Sequence, residues 1–289
     1  MACRLRKSLA TNFNVKLKLI RHLWGVDFSH GLENHLPRWR EAGYEAIESS
    51  LQFAPDAPAI HRFLKTSGWR IIPQVFSREL TPGGTVREHL DSLRRQLEEY
   101  LPLQPLFFNA HSGSDAWSFP EAEDFYGAAL ELDEKYGIPI AHETHRQRYF
   151  SNPWATRDIL KRFPTLKLTC DFSHWVCVAE RLLPDCEDII RLAAKHCHHL
   201  HARVGYEEGP QVSDPRAPEW SHHVAAHEAW WDLIWAAQKQ RGMSESTLTP
   251  EFGPAPYLHL LPHTQSPVAD LADICDWQAR RQLARFSKK

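Results

Sequence analysis

The sequence lacks several features that would point to particular classes of protein. It has no apolar run of the roughly 18 residues needed to cross a bilayer, so we expect no membrane partner. Its formal net charge is only −2 over 289 residues. No overall field therefore attracts nucleic acid, and no nucleic-acid partner is expected. Its six cysteines are far apart and include no CxxC pair, which argues against a zinc ribbon or a disulfide framework and fits a reducing cytoplasm.

The first residues differ in composition from the rest of the chain. Residues 1–16 are basic and have no apolar stretch of the kind that secretory signals carry. We expect a disordered leader there. Residues 17–289 show no break in composition, and we expect them to form a single domain with a helix at its C-terminal end.

Strand-like and helix-like segments alternate from residue 17 onward. The helical segments carry apolar stripes, for example the leucines that recur between 85 and 100. The predicted strands span 17–24, 44–50, 69–77, 105–111, a short run ending at 143, 166–171, 197–204 and 248–252. The predicted helices span 31–42, 58–66, 85–100, 121–136, 153–163, 185–196, 222–241 and 266–285.

Eight strand–helix units in roughly 250 residues predict a (β/α)8 TIM barrel. The alternative is an open doubly wound sheet, which would need a glycine-rich phosphate turn after its first strand. The segment Trp24-Gly25-Val26-Asp27 has no GxGxxG pattern at that place. The sequence therefore favours the barrel.

The last four predicted strands all carry an ionisable residue at or near their C-terminal tips, namely Glu143, Asp171, His201 and Glu251. Because the C-terminal ends of barrel strands meet at one mouth, we expect these side chains to converge. Buried charges without partners are costly, so a shared metal ion is favoured over four separate acids. Three carboxylates and one imidazole suit Mn²⁺ or Mg²⁺, and they are compatible with Co²⁺ or Zn²⁺.

The residues around these positions resemble those of a known family. The segments Glu143, Asp171-Phe172-Ser173-His174, His201-Ala202-Arg203 and Glu251 resemble the xylose isomerase-like TIM barrel superfamily, in its sugar (phosphate) isomerase/epimerase branch. Members of that branch hold one divalent metal with a Glu, an Asp, a His and a second Glu. The resemblance implies this metal-binding role for Glu143, Asp171, His201 and Glu251.

The same resemblance implies residues that bind substrate. In the family, a His three residues after the Asp and an Arg after the metal-binding His hold substrate oxygens. These correspond to His174 and Arg203, although Arg203 lies only two residues after His201. Two further residues near predicted strand tips, His111 and His145, are candidates for substrate contact because barrel loops at this end host the site.

The implied chemistry is proton abstraction next to a carbonyl, through a metal-stabilised enediolate. Glu143 and Glu251 are the candidates for the pair that removes and returns the proton. The expected partner is a small-molecule sugar or sugar derivative, and the protein is a candidate homo-oligomer. Among the tryptophans, Trp24, Trp117 and Trp154 follow strand tips, where an indole could stack on a sugar or simply pack. The same holds for Trp175.

Three other functions stay open at this point. The same site could perform elimination on a keto-sugar or glycoside, as a metal-dependent lyase or dehydratase. An apurinic endonuclease would share the barrel but would need further metal ligands and a basic groove. A non-catalytic sugar-binding barrel would bind its ligand without turnover.

Overall fold

The structure is a computed structural model, which describes residues 15–78 and 83–288. Eight parallel strands form a closed barrel in which each strand pairs with the next one in the chain. The first and last strands also pair, Leu17 with Ser246 and Leu19 with Leu248, and this pairing closes the barrel. The predicted (β/α)8 TIM barrel is therefore confirmed, and the open doubly wound sheet is wrong.

The strands and helices alternate along the chain. The strands are β1 (Lys16–His22), β2 (Tyr44–Ser49), β3 (Arg70–Phe76), β4 (Phe108–His111), β5 (Ile140–Glu143), β6 (Lys167–Cys170), β7 (Cys197–His201) and β8 (Glu245–Thr249). The helices are α1 (Leu36–Glu41), α2 (Ala57–Ser67), α3 (Val86–Tyr100), α4 (Phe119–Tyr136), α5 (Pro153–Arg162), α6 (Phe172–Ala179), α7 (Glu187–His196), α8 (Ser221–Gln240) and α9 (Leu271–Phe286).

Helix α3 illustrates how the sequence fixes an outer helix. The Thr85 hydroxyl accepts a hydrogen bond from the Glu88 backbone N–H at 3.3 Å, and the Glu88 carboxylate accepts one from the Thr85 N–H at 2.8 Å. This capping box sets where the helix begins. Leu93 and Leu97 lie on the predicted stripe and are fully buried. No helix within the described ranges is long and apolar enough to cross a membrane.

Three element boundaries near the site differ from the prediction. β8 ends at Thr249 rather than 252, so Glu251 lies two residues beyond its strand. β7 ends at His201 rather than 204. The unpredicted helix α6 begins directly after Asp171, whose carboxylate accepts a hydrogen bond from the Ser173 backbone N–H at 3.0 Å. An aspartate at this cap position stabilises the first turn of a helix.

The start of the chain can be compared with the expected leader only from residue 15. β1 begins at Lys16, so the barrel includes the last residue of that segment. Residues 1–14 lie outside the described residues, and the expectation of disorder there stays a prediction.

The inward-facing side chains change character along the strands. Every second residue of a strand faces the barrel axis. The lower interior is a small apolar core formed by Ile20, Ala46, Ile72, Phe107 and Ala141. Two residues further along the same strands, the buried interior is polar and contains His22, Glu48, Gln74, Asn109 and Glu143. The polar layer forms the floor of the barrel mouth.

Candidate metal centre

The four side chains expected to bind a metal come together at the floor of the mouth. Glu143 ends β5, Asp171 follows β6, His201 ends β7, and Glu251 follows β8. One ligand atom from each lies within 4.8 Å of the others, and all four residues are buried. The convergence follows from barrel closure, which brings the strand tips round a common axis.

His201 lies between carboxylates on both edges of its ring. Its Nδ1 is 2.8 Å from Glu251 Oε2 and 3.7 Å from Glu143 Oε1, whereas its Nε2 is 3.0 Å from Glu48 Oε1. Burial alone would lower the pKa of His201, but the surrounding carboxylates outweigh it and raise this pKa well above its usual value. If Nε2–H donates to Glu48, Nδ1 is the atom left for a cation.

Glu48 on β2 is a buried carboxylate that the sequence analysis missed. It accepts hydrogen bonds from Asn109 Nδ2 at 2.9 Å and from Thr249 Oγ1 at 2.6 Å, and His199 Nε2 lies 3.3 Å away. Burial would raise the pKa of Glu48, but the two histidines hold it well below its usual value. Its contacts satisfy both oxygens, so we interpret Glu48 as a support for His201.

Arg203 lies among the acidic side chains despite its short spacing from His201. Its Nη2 donates to Asp171 Oδ2 at 2.6 Å, and it lies 3.0 Å from Glu251 Oε2 and 2.8 Å from His174 Nε2. Burial raises the pKa of the Asp171 carboxyl to about 6, and Arg203 offsets this effect only in part. The guanidinium therefore shares carboxylate oxygens that a metal ion would also use.

The other histidines predicted to contact substrate form a row beside Glu143. His111 Nε2 lies 2.8 Å from Glu143 Oε2. The rings of His111 and His145 are 4.6 Å apart, and those of His145 and His174 are 3.9 Å apart. Burial lowers the pKa of both His145 and His174 well below the usual value, so both imidazoles are neutral at physiological pH.

A cavity of about 420 Å³ opens above this floor. Four of the residues predicted by sequence line it, namely His111, His145, Arg203 and Glu251. Its floor also includes His22 and Gln74, which the sequence analysis did not identify.

The four tryptophans considered for sugar stacking have different environments. Trp24 lines the cavity. Trp175 is fully buried and donates to the Phe150 carbonyl at 2.9 Å, so it belongs to the core. Trp117 packs against His89 and Phe125, and Trp154 lies under the Arg181 guanidinium.

The donor atoms of the four-residue cluster fit a divalent cation. Glu143 Oε1, His201 Nδ1 and Glu251 Oε2 are buried. They make ion-pair contacts with one another and with Arg203, but none of them has a hydrogen bond within the described part of the chain. The two carboxylate oxygens therefore keep unused acceptor capacity, which a cation would satisfy. Oxygen-rich sets of this kind favour Mg²⁺ or Mn²⁺. Two other groups share a residue with this cluster and also have their ligand atoms within 4.8 Å of one another. They are Glu48-His199-His201 and His111-Glu143-His145.

Residues 36–241 match the xylose isomerase-like TIM barrel family. The chain belongs to this family. No curated protein matches the sequence closely enough to count as a relative. Members of the family include epimerases, isomerases and dehydratases. The membership in this family that the sequence predicted is confirmed.

Several solved structures share the fold. A D-tagatose 3-epimerase-like protein superposes with a TM-score of 0.59 at 13% identity, over 94% of this chain and 97% of that one. A probable 3-DHS dehydratase from Bacillus anthracis gives 0.56 at 13% identity, over 92% and 98%. A xylose isomerase-like TIM barrel protein from Mycobacterium smegmatis, in complex with magnesium, gives 0.58 at 13% identity, over 88% of each chain. At such low identity these similarities concern the fold alone.

Proposed function

We propose that this protein is a divalent-metal-dependent isomerase or epimerase that acts on a sugar or sugar derivative. The observation that carries the proposal is the convergence of Glu143, Asp171, His201 and Glu251, with three buried donor atoms that have no hydrogen bond. The magnesium complex of a protein with the same fold supports Mg²⁺ or Mn²⁺, with Co²⁺ or Zn²⁺ as alternatives.

Glu143 and Glu251 are the proposed proton-transfer pair. Burial would raise the pKa of Glu251, but Arg203 and His201 hold it at about 2. His111 and His201 likewise outweigh burial and hold the pKa of Glu143 well below its usual value. Both carboxylates are therefore ionised at neutral pH, and either one can accept a proton from carbon. Glu143 Oε2 accepts from Asn109 and lies next to His111, which lines the cavity, whereas Oε1 faces the proposed cation site.

Arg203 and His174 are the proposed substrate-positioning residues. The Arg203 guanidinium lines the cavity and donates to Asp171, so it presents positive charge next to the acids. That charge would offset the negative charge of an enediolate. A bound divalent cation would supply further charge stabilisation and acidify the C–H next to the carbonyl.

A metal-dependent lyase or dehydratase is the second candidate, because it would share the proton abstraction. Elimination also needs an acid that protonates the departing hydroxyl. His145 and His174 are neutral because burial lowers their pKa, so neither is a good donor.

The test begins with metal analysis of the purified protein. Aldoses, ketoses and keto-sugars are then incubated in D₂O and followed by NMR, with and without chelator. Epimerisation gives a diastereomer that carries deuterium at the reacting carbon. Glu143→Gln and Glu251→Gln should each slow this exchange by roughly 10² to 10⁴-fold.

Glu245→Gln is the matched control, since Glu245 starts β8 at the other end of the barrel and pairs with Lys18. This variant should keep full activity. An unsaturated product would favour the lyase instead. Turnover that survives complete metal removal would contradict the proposed metal dependence.

A further inference from the structure

Five aromatic side chains line the cavity beside the acidic cluster. We call this group the aromatic rim, and it consists of Trp24, Phe28, Phe53, Phe76 and Tyr257. Its members come from the end of β3 and from the loops that follow β1, β2 and β8. The proposed reacting groups lie on the tips of β5 to β8, so the rim extends the site toward the other half of the barrel.

One row of rings leads from the surface to the floor. Phe53 is 43% exposed and packs edge-on against Phe76, with 5.1 Å between ring centroids. Phe76 lies 4.6 Å from His111, which in turn is next to Glu143. One ligand could therefore place an apolar group against Phe53 and a sugar at the floor.

A second row lies beside β1 and β8. Trp24 packs edge-on against Tyr257 at 5.0 Å, and the Arg203 guanidinium lies over the Tyr257 ring at 5.1 Å. A side chain at Gly253 would place its Cβ only 2.1 Å from the Trp24 ring. Glycine at this position therefore lets the indole lie directly against the backbone, which fixes one wall of the cavity.

The charge of the cavity does not suit a phosphorylated ligand. Among the described residues that line it, Arg203 is the one Lys or Arg, and it is already paired with Asp171 and Glu251. Phosphate sites usually present free cationic side chains or backbone N–H groups. The volume of about 420 Å³ falls within the range of roughly 300–1,000 Å³ seen for drug-sized ligands. The cavity therefore has room for a sugar and a second group.

We propose that the aromatic rim binds the uncharged apolar aglycone of a keto-glycoside, while its sugar ring, which carries the carbonyl, lies against the floor next to Glu251 and Arg203. This inference rests on the proposed function, since it assigns the substrate class of the same site. A partly exposed aromatic patch inside a mouth is a feature of ligand-binding surfaces. The rings offer an apolar substituent both buried area and edge-to-face contacts.

The test compares methyl and phenyl glycosides of glucose, galactose and xylose, together with glucose 6-phosphate. Binding is measured by calorimetry with and without Mn²⁺. For at least one sugar, the phenyl glycoside should bind roughly tenfold more tightly than its methyl counterpart. Phe53→Ala should remove most of this preference and leave the affinity for the methyl glycoside unchanged. Trp24→Phe, which keeps a ring, should reduce the preference only partly.

Leu283→Ala is the matched control, because Leu283 is 36% exposed and lies near the start of β2 at the opposite end of the barrel, where a Cβ added at Gly43 would meet it at 3.4 Å. It should keep the full phenyl preference. Equal affinity for both glycosides, no binding of any glycoside, tighter binding of glucose 6-phosphate, or a preference that survives Phe53→Ala would each overturn the subsite. The glycosides lack the carbonyl and serve only as binding probes. A phenyl preference in a protein that binds no metal ion and turns over none of the aldoses, ketoses and keto-sugars tested above would refute the proposed function and leave the subsite standing.

Discussion

Replacing Glu48 with glutamine tests whether this buried carboxylate supports the metal centre. Glu48 accepts hydrogen bonds from Asn109 and Thr249, and it faces Nε2 of His201. A glutamine has nearly the same shape but only one acceptor oxygen, so its amide NH₂ would face at least one of these donors. His201 would lose the negative charge that orients its ring.

The size of the effect follows from the geometry. Removing a group that orients a metal-binding histidine typically weakens metal affinity by roughly 10 to 100-fold, or about 1.4–2.7 kcal/mol. A buried donor left without an acceptor costs a further ~1–3 kcal/mol of folding stability. We therefore expect Glu48→Gln to weaken Mn²⁺ binding and to lower the free energy of unfolding of the metal-free protein.

Calorimetric titration with Mn²⁺ and urea unfolding of the metal-free protein separate these two effects. Glu45→Gln is the matched control, because Glu45 is on the same strand but pairs with Lys16 at the surface. It should change neither quantity beyond about 0.5 kcal/mol. If Glu48→Gln folds and binds Mn²⁺ as tightly as the unmodified protein, Glu48 does not orient His201 and our interpretation of this residue is wrong.

Two further predictions concern charged and titratable groups. Arg203→Gln removes a cation that shares ligand oxygens, so Mn²⁺ affinity at about pH 8 should rise roughly tenfold while turnover falls; weaker binding in calorimetry would contradict this. Burial lowers the pKa of His227 in α8 from 6.5 to about 4, and its Nε2 accepts from the Gly205 N–H at 3.2 Å. The neutral ring therefore stabilises the fold fully above pH 6.5, and this contribution of ~3 kcal/mol is lost as the pH falls toward 4. Urea unfolding at pH 7 and pH 4.5 should show a smaller pH effect in His227→Gln, and an unchanged pH effect would refute the assignment.

The architecture was predictable because it depends on local patterns. Eight apolar segments alternated with helical stripes, and eight such units in a chain of this length match a closed barrel. The same rule placed Glu143, Asp171 and His201 at one mouth. Glu251 was placed there as well although β8 ends at Thr249, since it lies two residues beyond Thr249, the spacing at which strand residues share a face.

The missed residues depend on contacts that only barrel closure creates. Glu48 is followed by Ser49 and Ser50, and nothing nearby in the sequence is a partner for it. Its partners Asn109, His199 and Thr249 come from three other strands, at sequence separations of 61 to 201 residues. The period-two pattern of β2 did place Glu48 on the same face as Ala46, and applying it to every predicted strand would have exposed the polar layer.

The balance of charge in this layer gives a physical reason to expect a metal ion. Four buried carboxylates, those of Glu48, Glu143, Asp171 and Glu251, surround two cations, the Arg203 guanidinium and the His201 imidazolium. Buried acids in excess of their counter-ions are costly; burial, with a further contribution from Glu251 and Glu143, raises the pKa of the Asp171 carboxyl to about 6 although Arg203 opposes it. A divalent cation that displaces the Nδ1 proton of His201 adds one net positive charge where the excess is greatest. Binding would therefore release a proton and stabilise the fold together.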